Sequence, residues 1–547
     1  MKSARKQLLQ IHKRLVRRIK REIDASIGAL NPAIRKYDRE YHREFRHYHI
    51  SSKAELIEAI LASDVVFVGD YHTLRNAQVT LLKIIEDVLP RRLDFALAVE
   101  MARKDDQAVL DEYMRGDISE DEFLRRIDYE RTWGFPWNYY KPIFEIAKAN
   151  DLRVVGINSY TSGEPHTMEE RDQAAAEVIA WEVIRKPGAL IIVFDGDLHI
   201  AAPHLPGKVK KILRAHGLKR KMLRVFQNSE NIYWRLAENY NEDADVVRLR
   251  RDAFCVMNTA PLVKYQSYLN WENSHEELHS SLKSDWMLST NRSLDHSEQM
   301  HQIVRTITQF FEIKEKGLDD FTVYTTGDLN FLERLRESGE YSPDEVKEIT
   351  VQILKNESYF ITKGHILYLA NLSIDWAAEE AAHFINHQCA GSADEPLDFQ
   401  QDFYYRTMKE AIGWLGSKVI DPKRSFYTEQ DFLDYLRDNV GKKLPPREAE
   451  VRRISRYVKQ HKAMERELFR SGGDRPTLRR ILQLPISLHI GVTHALGYMV
   501  GEKLYRAMVA GIVNKAEMRR LFYEPLHEPD RAFEIYMHYA KKLDAFC

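Results

Sequence analysis

The chain has 547 residues, with 81 basic and 82 acidic side chains and a formal charge of −1, which is more length than one hydrophobic core usually organises. That balance leaves no global field for nucleic acid or an anionic membrane, so no nucleic-acid partner is expected. Cys255, Cys389 and Cys547 are too few and too widely spaced for a disulfide framework or a zinc knuckle. No stretch reaches the roughly 18 apolar residues of a membrane helix, and no apolar leader is followed by a cleavage site. A cytoplasmic protein of at least two domains is the expectation.

The first segment, residues 1–52, reads as a basic helical extension. Leu8, Ile11, Leu15, Ile19 and Ile23 recur at helical spacing, and no acidic residue precedes Glu22. Such a stripe either packs on the body of the protein or gives peripheral contact with an anionic surface, and packing is the commoner use. Tyr37, Tyr41, Phe45 and Tyr48 continue the helical pattern.

Residues 53–262 alternate strand and helix, the pattern of an α/β domain with a parallel sheet. Strands are expected at Val65–Val68, Phe95–Val99, Val154–Ile157 and Leu190–Phe194, with shorter ones near Met222–Phe226 and Ala253–Met257. Helical patterns fill the intervals at Ala77–Val88, Asp105–Met114, Tyr140–Ala149 and Glu169–Arg185. Two of the strands end in the same tetrapeptide pattern, Gly69-Asp70-Tyr71-His72 and Gly196-Asp197-Leu198-His199. Glu100 and Asn158 end the strands between them. Ligands of open α/β sheets bind outside the carboxyl ends of the strands, so these tips define a candidate crevice.

Imidazole and carboxylate both bind first-row divalent metals and move protons near neutral pH. His72, Glu100 and His199 therefore form a candidate metal-ligating set, or alternatively a histidine base, a carboxylate and a second histidine stabilising an oxyanion. Asp70 and Asp197 either orient the imidazoles or cap the helices that follow.

The run from Val65 to about Leu205 resembles the ChaN-like haem-binding domain of the group that includes the TIKI and TraB proteins and erythromycin esterases. The resemblance is carried by the paired Gly-x-x-His motifs, by Glu100 in Ala98-Val99-Glu100-Met101, and by the Trp133, Trp137, Tyr139, Tyr140 segment. Asn158 and the Glu170-Arg171-Asp172 helix opening complete it. It implies binding of haem iron or a divalent metal through His72, Glu100 and His199. Tyr71, Trp133, Trp137, Tyr140 and Asn158 would lie around that ligand, and Arg171 would act as an anion or oxyanion contact. The same group contains hydrolases, so an esterase or peptidase reaction at His72, Glu100, His199 and Arg171 is the alternative. A non-catalytic scaffold is the third reading.

Residues 265–547 read as mainly helical, with a short irregular insert at Phe321–Asp328 and interhelix loops at Ala390–Gln401 and Gly441–Glu448. Glu380-Ala-Ala-His383-Phe-Ile-Asn-His387 and Glu272-Asn-Ser-His275-Glu-Glu-Leu-His279 share one spacing. In helical bundles Glu-x-x-His pairs build metal sites, but the spacing also occurs at Glu44/His47, Glu276/His279, Glu298/His301 and Glu524/His527, so buried hydrogen-bonded histidines are the commoner outcome. Gly491, Gly497 and Gly501 dot the apolar helix Leu488–Arg506 and suit close helix packing. No Walker-type fingerprint or nucleophile elbow is present.

Overall fold

The structure is a computed structural model and describes residues 3–27, 32–159, 167–282, 296–325, 331–354, 358–370, 373–391, 397–471 and 484–544. It divides into an α/β unit, residues 16–284, and a helical unit made of residues 1–15 and 285–547. Among the described residues no helix is long and apolar enough to cross a membrane.

The α/β unit is built on an eight-stranded sheet. Its strands are β1 (His49–Ser51), β2 (Val65–Asp70), β3 (Phe95–Arg103), β4 (Arg153–Asn158), β5 (Leu190–Gly196), β6 (Met222–Gln227), β7 (Val246–Arg250) and β8 (Ala253–Val256). They lie in the order β1-β7-β8-β6-β2-β5-β3-β4. The pairs from β6 and β8 across to β4 are parallel, whereas β7 is antiparallel to both β8 and β1. The two antiparallel strands at one end of the sheet, β1 and β7, are additions to the expected set; β1 has only three residues, and β7 is a short strand paired with β8 across a tight turn.

The apolar runs of β2 and β5 are continuous because both faces of the sheet are covered. Val66, Val68, Ile192, Phe194, Leu97 and Val99 face one core with Leu81 and Ile84 of helix Arg75–Val88 and Tyr140 and Phe144 of helix Trp137–Ala149. Val65, Phe67, Ile191 and Val193 face the other, with Ile179 of helix Met168–Arg185 and Val209 and Leu213 of helix Leu205–Ala215. Each such side chain contributes about 1.5–3 kcal/mol on burial, and a shift of one residue would reverse every one of them.

The crossover leaving β2 runs past β5 to β3, whereas the crossover leaving β5 runs past β2 to β6. The two connecting helices, Arg75–Val88 and Leu205–Ala215, accordingly belong to opposite cores. Strand order thus reverses between β2 and β5, and the chain leaves their paired carboxyl ends toward opposite faces of the sheet, the place where open α/β sheets form a crevice.

The helical unit carries one feature its sequence pattern did not suggest, a three-stranded sheet of β9 (Thr322–Thr325), β10 (Tyr359–Ile361) and β11 (Ile366–Leu369). The described part of the expected irregular insert, Phe321–Thr325, includes β9, which pairs in parallel with β11. Its strand character comes from pairing across more than 40 residues, as between Thr322 and Ile366, so no local signal marks it. Helices Ile374–Ala390, Phe399–Ile420 and Ile486–Ala510 pack side by side. Glycine makes this possible: a Cβ on Gly497 would stand 2.6 Å from the Thr407 carbonyl oxygen, and one on Gly501 2.7 Å from that of Ala411. In the N-terminal helix Ala4–Ile27 Leu8 and Ile19 of the stripe are buried, with His12 and Val16 beside them, whereas Ile11, Leu15 and Ile23 are half-buried, so the buried face lies to one side of the expected stripe and serves packing.

Candidate functional site at the strand tips

Register explains how two similar motifs take different roles. Gly69 pairs with Asp195 and Asp70 with Gly196, so the two Gly-Asp-x-His motifs are one residue out of step across the sheet. Asp70 remains in β2, while Asp197 lies just beyond β5 and is held by its backbone N–H to the Asp70 carbonyl at 2.9 Å. Gly196, opposite Asp70, has no side chain at the point where the site converges. A Cβ there would lie 3.3 Å from His199 Cδ2, 3.4 Å from His72 Nε2 and 3.5 Å from Glu100 Oε2.

Each histidine is anchored through Nδ1 by a buried carboxylate. His72 Nδ1 donates to Asp70 Oδ2 at 2.9 Å, and His199 Nδ1 donates to Asp172 Oδ1 at 2.5 Å. A carboxylate partner requires the proton on Nδ1, which leaves the lone pair on Nε2 in the neutral ring. Asp70 is itself fixed by the Tyr140 hydroxyl at 2.9 Å and the Gln78 amide at 2.5 Å. Asp172 accepts from the Tyr37 hydroxyl at 2.8 Å, and the Tyr37 ring stacks on His204.

Glu100 lies between the histidines. Its Oε2 accepts the Gly196 N–H at 2.8 Å and faces His72 Nε2 at 3.7 Å, and Oε1 pairs with Arg171. Burial raises a carboxyl pKa, but His72, Arg171 and His199 outweigh it and hold Glu100 down to about 2. Asp195 takes the opposite course, pushed well above the carboxylate range by burial and by the neighbouring Glu100 charge. For His72, burial lowers the imidazole and the charges of Asp70 and Glu100 more than restore it, so its pKa is raised. Glu100, Asp195 and His199, all buried, each bring one potential ligand atom within 4.8 Å of the others.

The remaining residues expected at the site fall into distinct places. Trp133 and Phe135 flank the His72 ring at centroid distances of 4.7 and 4.8 Å, and the Trp133 indole N–H is buried without a hydrogen-bond partner among the described residues. Tyr140 is fully buried and its hydroxyl is committed to Asp70, so it acts through His72's anchor. Trp137 packs among Tyr113, Phe123, Tyr129 and Phe144 in the aromatic core. Tyr71 lies beneath the Lys264 ammonium at 4.5 Å, and Asn158 is buried at the end of β4.

Neither aspartate of the paired motifs caps a helix, and only Asp70 orients a histidine. Asp197 instead takes the Tyr41 hydroxyl at 3.2 Å and the Lys264 ammonium at 3.4 Å. The residue that anchors His199 is Asp172, which the sequence pattern marked only as part of a helix opening. Tyr37 and Trp271 were also missed; Trp271 stacks on Phe135 at 4.8 Å. The regular spacing of Tyr37, Tyr41 and Phe45 was the available signal, and it shows a buried face without showing what that face meets.

The α/β fold thus presents two carboxylate-anchored imidazoles at its switch point. Residues 56–163 match the family model described as haem-binding uptake, Tiki superfamily, ChaN. The chain thus carries a ChaN domain of the Tiki superfamily over that segment, with helical regions beyond it. Among solved structures, one described as cofacial heme binding to ChaN of Campylobacter jejuni is similar at 13% identity and a TM-score of 0.25, covering 33% of this chain and 87% of that one. No curated protein sequence matches the chain.

Proposed function

We propose that the strand-tip crevice holds haem iron or a divalent metal ion, with His72 as the principal ligand and Glu100 and His199 completing the donor set. The observation that carries this reading is the anchoring of both imidazoles at Nδ1 by Asp70 and Asp172, which leaves each Nε2 as a preset donor. The donor chemistry fits a first-row metal, and His72 is the more exposed of the two histidines, with a quarter of its side chain accessible. The description of the matched family as haem-binding puts haem iron first. Trp133 and Phe135 beside His72 offer apolar surface for a flat ring, with the unpartnered indole N–H a further polar contact. When bound, the metal supplies Lewis acidity and, as haem iron, a redox centre. Hemin titration of the purified chain tests the reading, together with elemental analysis of protein prepared without chelator. A Soret band or stoichiometric metal lost in His72→Ala is expected; neither band nor metal in the folded wild type overturns it.

A second reading, hydrolysis of an ester or amide, is favoured by the buried grouping of Glu100, Asp195 and His199, which suits a small ion better than a porphyrin. Here Glu100, held ionised, would ligate the ion or orient a water by accepting its hydrogen bond, and Arg171 would hold the carboxylate in place. Metal-stimulated turnover of an ester and peptide panel that vanishes in Glu100→Gln would favour this over simple binding.

A further inference from the structure

The helical unit contains a second group of ligand-type side chains, buried at Glu379 and His383 and half-buried at Glu410, remote in sequence from the strand tips. Glu379 and His383 are one turn apart on helix Ile374–Ala390 and so share a face. Glu410 comes from the neighbouring helix Phe399–Ile420. One potential ligand atom from each of the three lies within 4.8 Å of the others. The close approach depends on Gly413, where a Cβ would stand 2.3 Å from His383 Nε2 and 3.0 Å from Glu379 Cγ.

The tautomer of His383 sets the site apart from an ordinary buried ion network. Its Nδ1 donates to Glu380 Oε2 at 3.1 Å, so in the neutral ring Nε2 carries a lone pair. That Nε2 is buried and has no hydrogen-bond partner among the described residues, in a residue only 8% exposed. A buried acceptor without a donor is costly, and a cation would satisfy it. The two carboxylates are themselves held from outside. Glu379 Oε2 takes the Arg424 guanidinium at 2.5 Å, and Glu410 Oε1 lies 3.1 Å from His494 Nε2. Arg424 is fixed in turn against the rings of Trp376, Trp414 and Tyr498. Carboxylate, imidazole and carboxylate, each with its own outer partner, is the arrangement that orients ligands toward a metal.

We propose that Glu379, His383 and Glu410 form a site for a divalent first-row transition metal, with Glu380 as the residue that sets the His383 tautomer. One nitrogen and two carboxylates suit manganese, iron, cobalt or zinc, and a doubly charged ion offsets the carboxylates gathered there. His387, one turn further along, lies outside this set, against Phe360 and His365. In the related Glu272 motif the side chains of His275 and His279 lie outside the described residues.

The test uses full-length His72→Ala/His199→Ala protein, so the strand-tip reading neither supports nor masks the result. Chelator-stripped protein is titrated with Co(II), followed by its ligand-field absorption and by metal analysis after desalting. The same background carrying His383→Gln, Glu410→Gln or Glu380→Gln is measured beside it, each checked for folding by circular dichroism. One equivalent of Co(II) is expected, bound at least about tenfold more weakly after His383→Gln or Glu410→Gln. Glu380→Gln, which touches no metal, should keep the stoichiometry and weaken binding by about 10–100-fold. No uptake by the folded parent overturns the proposal, as does uptake undiminished by His383→Gln and Glu410→Gln. If those two variants do not fold, unchanged affinity in Glu380→Gln overturns it.

Discussion

Replacing Gly196 with alanine places one methyl where His72, His199 and Glu100 converge. The new Cβ would sit 3.3 to 3.5 Å from those three side chains, close to ordinary van der Waals contact, and Gly196 is absent from the glycines with positive φ. Its backbone N–H to Glu100 is kept. A buried methyl contributes about 0.8 kcal/mol when it fits, whereas overpacking costs about 1–3 kcal/mol, so the net effect on stability should stay within about 1–2 kcal/mol. Binding should respond far more, because the methyl takes the space toward which both imidazoles aim; a loss of at least about tenfold, or ~1.4 kcal/mol, is the expected minimum. Gly69→Ala is the contrasting control. Its Cβ would fall 2.1 Å from Asp197 Oδ1 and 3.0 Å from Ile200 Cδ1, so a buried side chain must move and stability should fall first. Thermal melts and hemin or Co(II) titrations of both variants separate the two effects. A folded Gly196→Ala protein that binds as tightly as wild type would refute the placement of the ligand between the histidines.

Other substitutions address the supports of the site and the two cores. Asp172→Asn removes the charge that anchors His199 and should weaken ligand binding by about 10–100-fold with the fold retained, as read by titration and circular dichroism; an unchanged affinity would mean that His199 does not ligate. Arg224 and Glu44 form a buried pair at 2.6 Å, both side chains 4% exposed, so Arg224→Met leaves the carboxylate only the Ala202 N–H and the more distant Arg250 and should cost at most about 3–5 kcal/mol, measurable by urea denaturation. His12 is buried with Nε2 donating to the Val419 carbonyl at 2.7 Å, and burial, only partly offset by that bond, lowers its pKa to about 4. The unfolded imidazole takes up its proton near pH 6.5, so between there and about 4 the unfolded state binds more protons. Stability should therefore be fully present above pH 6.5 and fall on acidification by about 1.4 kcal/mol per pH unit. Hydrogen exchange in helix Ala4–Ile27 should show that slope in wild type and lose it in His12→Gln.

Much of the α/β unit was legible because its evidence is local. A strand covered on both faces must be apolar at every position, and Val65–Val68 and Leu190–Phe194 satisfy that without reference to any neighbour. The polar residues that end those strands were visible for the same reason, and so were the glycines that let helix Ile486–Ala510 pack closely. Strands β1 and β9 were not, since each pairs with a partner far along the chain, His49 with Arg248 and Thr322 with Ile366; β7, β10 and β11 have near neighbours as partners, and their shortness hid them.

What each polar residue does was decided in three dimensions. Asp70 and Asp197 occupy the same place in two near-identical motifs, yet one anchors His72 and the other meets Tyr41 and Lys264, because β2 and β5 pair one residue out of step. Asp172 anchors His199 only because the helix that carries it packs on the face of the sheet where β5 ends. In the helical unit, Glu380-x-x-His383 was visible as a spacing, but Glu410 joins it through a neighbouring helix and the absent side chain of Gly413. Residue type and periodicity act along the chain and determined the elements and the chemistry available at their ends. Register, crossover direction and helix packing act across it, and they alone determined which of those groups meet.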